Sequence, residues 1–429
     1  MRIKKRDLTP ISIIAGINLF TVLLLIVSPL NYVYGNIELS FNYVLLNIFL
    51  LVFGYLVSLA ALNKFTYSHV KIYNFKNEVY LFKYLLYIFI MTFILRYSFL
   101  IKYPFYDLTS IVTEILLGIS SPEYGYQSTI NNTRAQPYPW SLYVILSIFH
   151  TLFFISGVLL WEKISKSYKF MFGLSVAIEC LFWYSRGTNF GIIGLLTIFA
   201  MAYLVNIQRL KFKSYIYFSI LFCLVILIFS FIMAGRMGDP STVDLSTAAP
   251  PYTTINYDSY LLKLSPDFTH PFIILIFAYL TQGYYYLSFG FDLEYKFSFF
   301  LNQNPEIFNI GKMFGLDFSD NSMVNRLAGV GIDPRVQWHS AYLWLASDYS
   351  FFFTPLYILV LGFALGSSWI LATRYQDYVF KIMFVILGGS TFFLFANNNF
   401  IAQYFYTLIF IIILSFIKIL NVKGTDRGY

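Results

Sequence analysis

Charge and cysteine are both scarce in this chain. Charged residues make up 12% of its 429 residues, whereas soluble domains carry about 25%. The two cysteines, Cys180 and Cys223, lie in apolar runs, which excludes a disulfide framework and a cysteine-rich metal cluster. Walker, dinucleotide-binding and His-Glu-x-x-His motifs are absent as well. We interpret the net charge of +8 as a signal of membrane topology rather than of nucleic-acid binding.

Apolar residues dominate instead. They form 58% of the chain, with 48 phenylalanines and 37 tyrosines, and they recur in runs long enough to cross a bilayer. We therefore predict an all-α polytopic membrane protein with about ten to twelve transmembrane helices. All of residues 1–429 would form a single integral membrane domain. The basic residues before the first apolar run, Arg2 to Arg6, predict a cytoplasmic N-terminus and a retained first span.

Two regions between the apolar runs are long, and the lysine pattern assigns both to the outer side. Residues 101–140 are rich in Pro, Tyr, Ser and Asn and form the first external loop; residues 235–350 form a larger external loop region. An apolar piece, residues 270–291, lies within the larger region. As a full span it would break the alternation of lysine and arginine between the two sides. We therefore predict that this piece is re-entrant or is a helix packed within the protein.

One short stretch combines a helix-start signal with a rare histidine. Asp333 can cap a helix, and Pro334 suits the first helical position. Three side chains would then share one helix face, at i, i+4 and i+7: Arg335, His339 and Tyr342. The first turn of such a helix favours an anion, and arginine adds a fork of donors that matches phosphate. The alternative is that Arg335 and His339 only pair with a nearby acid such as Asp348.

Arginine is concentrated on the predicted outer side, although lysine would serve topology equally well. The outer arginines are Arg96, Arg134, Arg186, Arg236, Arg326 and Arg335. Arg186 lies in a tight turn between two apolar spans, where an unpaired charge is costly and is usually functional; its alternative role is a pair with Glu179 or Asp239. Nearby glycines would let a ligand approach the backbone at Arg236. The alternative is that the Arg236 side chain only extends to the membrane interface. We interpret Arg134 as an ordinary solvated residue.

Short stretches between Trp183 and Asp348 resemble the oligosaccharide repeat-unit polymerases of bacterial surface polysaccharides, the O-antigen polymerase (Wzy) group. The matching stretches are Trp183-Tyr184-Ser185-Arg186-Gly187, Gly235-Arg236, Tyr279-Leu280-Thr281-Gln282-Gly283-Tyr284-Tyr285 and Trp338-His339-Ser340-Ala341-Tyr342-Leu343 followed by Asp348-Tyr349. The last stretch is similar to a histidine-containing segment of the related O-antigen ligases. One position departs from the group's pattern, because Ser350 stands where a glycine usually follows the acidic residue.

The resemblance implies a membrane glycosyltransferase of the broad GT-C-like fold in the bacterial cytoplasmic (inner) membrane. Its active site would face the periplasm or the exterior. It would polymerise oligosaccharide repeat units linked to undecaprenyl pyrophosphate, with membrane lipids around it and a chain-length regulator protein as a candidate partner. The resemblance implies no cofactor, metal, nucleotide sugar or nucleic acid.

That chemistry agrees with the residue types singled out above. A leaving pyrophosphate needs preorganised cations, for which Arg186, Arg236 and Arg335 are the candidates and Arg326 a weaker one. The attacking hydroxyl needs a base, and His339 titrates in a suitable range. The remaining candidates would bind substrate: Tyr284, Tyr285, Trp338, Tyr342 and Asp348. The four aromatic residues could stack on sugar rings, although ordinary packing explains them equally well.

Two alternatives from other classes remain open. A flippase or exporter of lipid-linked oligosaccharide would carry polar residues along its spans and would have loops of even length. A different C-type glycosyltransferase that uses a polyprenyl-phosphate sugar would carry an acidic pair, acting with metal, in the first external loop. Asp107 has no second acid adjacent to it there, since the other acids of the loop are Glu114 and Glu123. Because the long loops are all on the predicted outer side, the sequence favours an enzyme.

Overall fold

The computed structural model describes residues 5–64, 78–132, 134, 137–207, 220, 249–300, 314–334, 337–396 and 404–416. These residues are mostly helical. The helices are α1 Lys5–Ile26, α2 Ile37–Lys64, α3 Glu78–Ile101, α4 Leu108–Ser120, α5 Pro122–Ile130, α6 Trp140–Leu159, α7 Lys166–Ser185, α8 Phe190–Asn206, α9 Tyr260–Leu264, α10 His270–Gly290, α11 Met323–Ala328, α12 Ala341–Arg374, α13 Tyr378–Phe392 and α14 Tyr404–Phe416. Strands β1 Leu30–Tyr32 and β2 Thr253–Ile255 form a small antiparallel sheet in which Leu30 pairs with Ile255.

Six of the described helices are long and apolar enough to cross a membrane: α1, α2, α3, α6, α10 and α12. An α-helix satisfies its own backbone hydrogen bonds, so it is the element that an apolar run forms in lipid. The prediction of a helical, multi-pass membrane protein is therefore confirmed at this level. The GT-C-like arrangement stays a prediction.

The described residues divide into two compact units. Unit 1 is drawn from residues 1–66, 241–367 and 387–405, and unit 2 from residues 67–240, 368–386 and 406–429. In unit 1, α1 packs against α2 and α10. Buried polar groups link α1 to its neighbours: the Thr21 and Tyr284 hydroxyls lie 2.9 Å apart and join α1 to α10, and the Asn18 amide donates to the Thr391 carbonyl of α13 at 3.2 Å.

Unit 2 is built around the aromatic faces of α3, α6 and α7. Phe82 stacks on Phe153, with ring centroids 5.6 Å apart, and Phe89 stacks on the same ring at 4.8 Å. Phe172 of α7 packs edge-on against Phe153 at 5.6 Å. Helix α8 packs against both α6 and α7. The unit therefore fixes α7, the helix that ends at Arg186, on several sides.

The apolar piece within residues 235–350 is one continuous helix, α10, and not a re-entrant hairpin. It is the most enclosed of the six long helices, with 67% of its apolar window buried inside the protein. This agrees with the packed-helix form of the prediction. Its 21 residues are also enough to cross a bilayer. The alternation of lysine and arginine between the two sides argued against such a crossing.

The first predicted external loop, residues 101–140, contains two helices that the sequence analysis did not predict. Asp107 caps α4, because its Oδ1 accepts a hydrogen bond from the Ser110 N–H at 3.1 Å. Ser121 caps α5 by accepting from the Tyr124 N–H at 3.2 Å. Side-chain caps of this kind satisfy the free N–H groups of a helix start. Asp107 therefore has a structural role here.

The prediction of a helix that starts at Asp333 and includes His339 is wrong. The Gln337 N–H donates to the Asp333 carbonyl at 2.8 Å, but residues 337–340 are irregular and the next helix begins at Ala341. The N–H groups of Ser340 and Ala341 instead donate to the carbonyls of Gly283 and Leu394. Tertiary hydrogen bonds thus replace the helical ones, so His339 does not share a helix face with Tyr342, and Arg335 lies outside the described residues.

Ser350 interrupts α12 with φ 67° and ψ 161°, a backbone conformation that normally only glycine adopts. This is the position at which the sequence departs from the glycine of the O-antigen polymerase pattern. We therefore expect Ser350→Gly to raise the melting temperature of the detergent-solubilised protein, because it removes a strain of roughly 1–3 kcal/mol.

Ser367→Gly in the regular part of α12 is the matched control. Glycine costs about 0.5–1 kcal/mol inside an ordinary helix, so this variant should melt at a lower temperature. Equal destabilisation by the two glycines would show that Ser350 is not strained.

Candidate functional site

Arg186 lies in unit 2 at the end of α7, in the turn that leads into α8. Its side chain is deeply buried, since the residue is only 5% exposed. The turn closes because the Arg186 N–H donates to the Phe182 carbonyl and Gly187 follows with φ 58°. Glycine adopts this left-handed conformation without a steric penalty. The sequence Ser-Arg-Gly therefore forms a tight turn that fixes the arginine at the end of the helix.

Helices α4 and α5 cover this turn. Gly118 and Gly125 lie so close to the Ser185 carbonyl that a Cβ atom at either position would collide with it. The Thr129 hydroxyl donates to the Arg186 carbonyl at 3.2 Å. Small residues allow backbones to approach closely in this way. Sequence reasoning missed this cover, although the spacing of Gly118 and Gly125 marks it.

The Arg186 guanidinium makes no hydrogen bond and no ion pair with any residue that the structure describes. The acid that acts on it electrostatically, Glu114, accepts hydrogen bonds from Tyr124 at 3.2 Å and from Ser128. Burial lowers the pKa of Arg186, Glu114 raises it, and Arg134 lowers it further. Arginine nevertheless stays protonated in proteins. Arg186 is thus a buried cation that can bind an incoming anion.

A second cation, Arg134, acts on the same turn. Its guanidinium lies over the ring of Tyr103, 4.1 Å from the ring centre, and it contributes to the electrostatic field at Arg186. Stacking of this kind orients a guanidinium while leaving its N–H donors available. Arg134 is exposed, as the sequence indicated, and its stacking on Tyr103 orients it near the turn.

Glu179 binds other partners than Arg186. Its carboxylate receives Arg96 Nη1 at 3.2 Å, Tyr97 OH at 2.8 Å and Trp183 Nε1 at 2.7 Å, and it lies 3.0 Å from His150 Nε2. All of these groups lie within apolar helices of unit 2. The sequence carried a signal for this cluster, because ionisable residues inside membrane helices usually pair with one another. The sequence assigns Arg96 to the outer side, whereas the structure buries it within α3 against Glu179.

His339 lies in unit 1, in the irregular segment before α12, and is only 1% exposed. Its Nδ1 lies 3.2 Å from the Gln337 carbonyl, which makes Nδ1 the protonated nitrogen. Its Nε2 is buried and has no hydrogen-bond partner among the described residues. Burial lowers the pKa of His339 to about 4, against the opposing effects of the Gln337 carbonyl and Asp333. His339 is therefore neutral at pH 7 and presents a lone pair on Nε2.

Gly283 allows α10 to approach the His339 segment closely. A Cβ atom there would lie 2.8 Å from the Ser340 nitrogen and 2.9 Å from the Phe395 carbonyl oxygen. Two aromatic side chains flank His339: Tyr286 at 5.3 Å and Trp344 at 6.3 Å between ring centres. The Tyr286 hydroxyl and the Trp344 indole N–H are also buried without partners in the described part of the chain. Among the described residues, the groups around His339 are thus polar and, apart from Asp333, uncharged.

The other predicted substrate residues are occupied by contacts within unit 1. Tyr284 bonds to Thr21, Tyr285 donates to the Tyr252 carbonyl at 2.7 Å, and Trp338 packs edge-on against Tyr279 at 5.1 Å. These contacts agree with the packing alternative.

Three further candidates are also engaged or buried in the same unit. Arg326 Nη2 donates to the Glu294 carbonyl at 2.6 Å, and Asp348 accepts from the Ser298 hydroxyl. Tyr342 is fully buried beside Tyr284, with ring centres 6.5 Å apart. Arg236 and Arg335 lie outside the described residues.

No cluster of three or more His, Cys, Asp or Glu side chains suited to a metal ion occurs among the described residues. Comparison of the chain with family models, with curated proteins and with solved structures finds no match.

Proposed function

We propose that this chain is a membrane glycosyltransferase that polymerises lipid-linked oligosaccharide repeat units into a surface polysaccharide. One observation carries the proposal: the buried guanidinium of Arg186 forms no ion pair and no hydrogen bond with the described residues, because the acid that acts on it, Glu114, accepts hydrogen bonds from Tyr124 and Ser128 instead. A buried charge that lacks a partner is costly. Binding of an anionic ligand would offset that cost, and a polyprenyl pyrophosphate supplies such an anion together with a tail that dissolves in the membrane.

In the proposed reaction a hydroxyl of the acceptor glycan attacks the anomeric carbon of the donor. The new glycosidic C–O bond forms as the C–O bond to the pyrophosphate breaks, and undecaprenyl pyrophosphate leaves with the electron pair. Arg186 stabilises the negative charge that develops on this leaving group, and Arg134 adds a second cation. The acceptor hydroxyl also needs a base. His339 of unit 1 is the candidate for this role because its Nε2 has no hydrogen-bond partner among the described residues, although its lowered pKa makes it a weaker base than an ordinary histidine.

The proposal includes a location and partners. The chain would lie in a bacterial cytoplasmic membrane, with the reaction on the periplasmic or outer side and with a GT-C-like arrangement of helices. Its substrates would be glycans on undecaprenyl pyrophosphate, so neither a nucleotide sugar nor a cofactor takes part. A chain-length regulator protein is a candidate partner.

One observation favours the transport alternative. The cluster of Arg96, His150 and Glu179 lies within membrane helices, and such intramembrane ionisable groups often mark transport or proton pathways. However, Glu179 is saturated by four donor groups, which is typical of a network that holds helices together. We therefore rank a flippase of lipid-linked oligosaccharide second.

The two functions differ in what accumulates when the chain is deleted. A strain that lacks a polymerase should still display single repeat units on the lipid carrier at the outer side, without a ladder of longer chains. A strain that lacks a flippase should lose all external glycan of this type. The analysis of surface glycan by chain length distinguishes these outcomes, and the second would contradict the proposal.

A further inference from the structure

The buried and exposed faces of α4 carry the opposite residue types to those of a surface helix in a water-soluble protein. Its charged residue, Glu114, faces inward with Ile111 and Gly118 and is buried. Its outward face carries the exposed hydroxyl residues Thr109, Thr113 and Ser120 beside an apolar stripe: Leu108 is 49% exposed, Val112 52% and Leu116 59%. These three residues follow each other at intervals of four, so they form one continuous stripe. A helix in water would expose the glutamate and bury the leucines.

Helix α5 shows the opposite pattern on its exposed side. Glu123, Gln127 and the following Asn131 are all exposed, at intervals of four residues. The two neighbouring helices thus divide into an apolar outward stripe on α4 and a polar outward face on α5. This division matches a boundary between lipid and water.

The apolar stripe of α4 continues a surface that α7 already presents. On α7, Phe170 is 72% exposed, Leu174 46% and Leu181 53%. Leu181 lies one turn before Ser185, whose carbonyl contacts Gly118 of α4. Exposed aromatic side chains, Phe105 and Tyr106, stand in the turn just before α4. Tyrosines concentrate at the interface between lipid and water.

We propose that α4 lies in the boundary between the headgroups and acyl chains of the bilayer, with Leu108, Val112 and Leu116 toward the acyl chains. The helix has 13 residues, about 20 Å, which is too short to cross a hydrocarbon core of about 30 Å. An apolar stripe on a helix of this length therefore suits the plane of the interface. The region 101–140 is then part of the membrane-bound structure and not a solvated loop.

This placement extends the proposed function without depending on it. Glu114 and Gly118 form the inner face of α4, which covers the turn of Arg186. The lipid surface would thus lie on the other side of the same helix, at the depth where the headgroup of a lipid-linked ligand resides.

Spin labels at single cysteines test the placement. Cys180 and Cys223 are first replaced by serine, and a cysteine is then introduced at Val112 or Leu116, or at Glu123 or Gln127 as matched exposed controls on α5. The labelled proteins are reconstituted in vesicles of phosphatidylcholine and phosphatidylglycerol. Collision with oxygen reports lipid, and collision with a water-soluble nickel chelate reports water.

The ratio of oxygen to nickel collisions should be several-fold higher at Val112 and Leu116 than at Glu123 and Gln127. Equal ratios at all four positions would place α4 in water and overturn the proposal. Low collision with both reagents at Val112 and Leu116 would show that protein, such as a second copy of the chain, covers the stripe, which also overturns it.

A second measurement needs no substitution. A membrane-dissolved, carbene-generating probe is photolysed in vesicles that contain the unmodified protein, and the adducts are mapped by mass spectrometry. Adducts between Leu108 and Leu117 are expected. Their absence, with normal labelling of α7, would contradict the placement.

Discussion

Arg186→Lys should abolish long polysaccharide chains while the protein still accumulates in the membrane. Lysine keeps the positive charge but loses the planar fork that binds two phosphate oxygens at once. Loss of one preorganised donor to a developing charge typically lowers the rate about 10²–10³-fold. The chain-length ladder of surface glycan, normalised to the amount of protein, measures the effect. Arg374→Lys is a matched control and should leave the ladder unchanged.

The stability of an Arg186 variant separates an anion-binding role from a structural one. Removing one member of a buried ion pair costs about 3–5 kcal/mol because it leaves the partner charge unpaired. Arg186 has no such directly bonded partner among the described residues, although Glu114 acts on it electrostatically, so Arg186→Met should lower the melting temperature of the ligand-free protein by less than the loss of a buried ion pair would. A normal ladder from Arg186→Ala at normal protein levels would remove Arg186 from the mechanism.

His339→Ala should leave only short chains, and His339→Gln should do no better. Glutamine can form hydrogen bonds but cannot accept the proton, and general-base catalysis typically contributes about 10²–10⁴-fold. Binding of the lipid-linked substrate should persist in both variants because Arg186 is intact. If His339→Gln polymerises normally, the histidine only positions or packs, and another group must accept the proton.

The pH dependence provides an independent test of the same residue. A base acts in its neutral form, and burial lowers the pKa of His339 to about 4. The polymerisation rate should therefore hold as the pH falls through 6.5, the usual pKa of histidine, and should decline only near pH 4. If the rate of the reconstituted protein, measured across this range, fell between pH 6 and 7, the titrating group would not be a histidine with this lowered pKa.

The membrane-spanning helices could be predicted because long apolar runs leave an α-helix as the only element that satisfies its own backbone in lipid. The same reasoning could not foresee α4 and α5. Their packing depends on Gly118 and Gly125, which let the two helices approach the carbonyl of Ser185. Ser185 is more than fifty residues away from both glycines in the sequence. The sequence indicated Arg186 correctly as a charge in an unusual place, but it could not show what covers it.

Two other errors have a common cause. The local signals of Asp333 and Pro334 predict a helix, yet hydrogen bonds to Gly283 and Leu394 hold the following segment in an irregular form. Likewise, Glu179 stands seven residues before Arg186, yet its partners come from the more distant Arg96 and His150. In both places tertiary contacts outweigh the neighbours in sequence, and a single sequence contains no record of those contacts.

Purified protein in vesicles, supplied with a single lipid-linked repeat unit, tests the central claim most directly. The account predicts glycans of two or more repeat units on the lipid carrier, with one polyprenyl pyrophosphate released for each bond formed, and neither product from Arg186→Lys. Movement of the intact lipid-linked unit across the vesicle membrane, without glycan growth or release of pyrophosphate, would contradict it and establish the chain as a transporter.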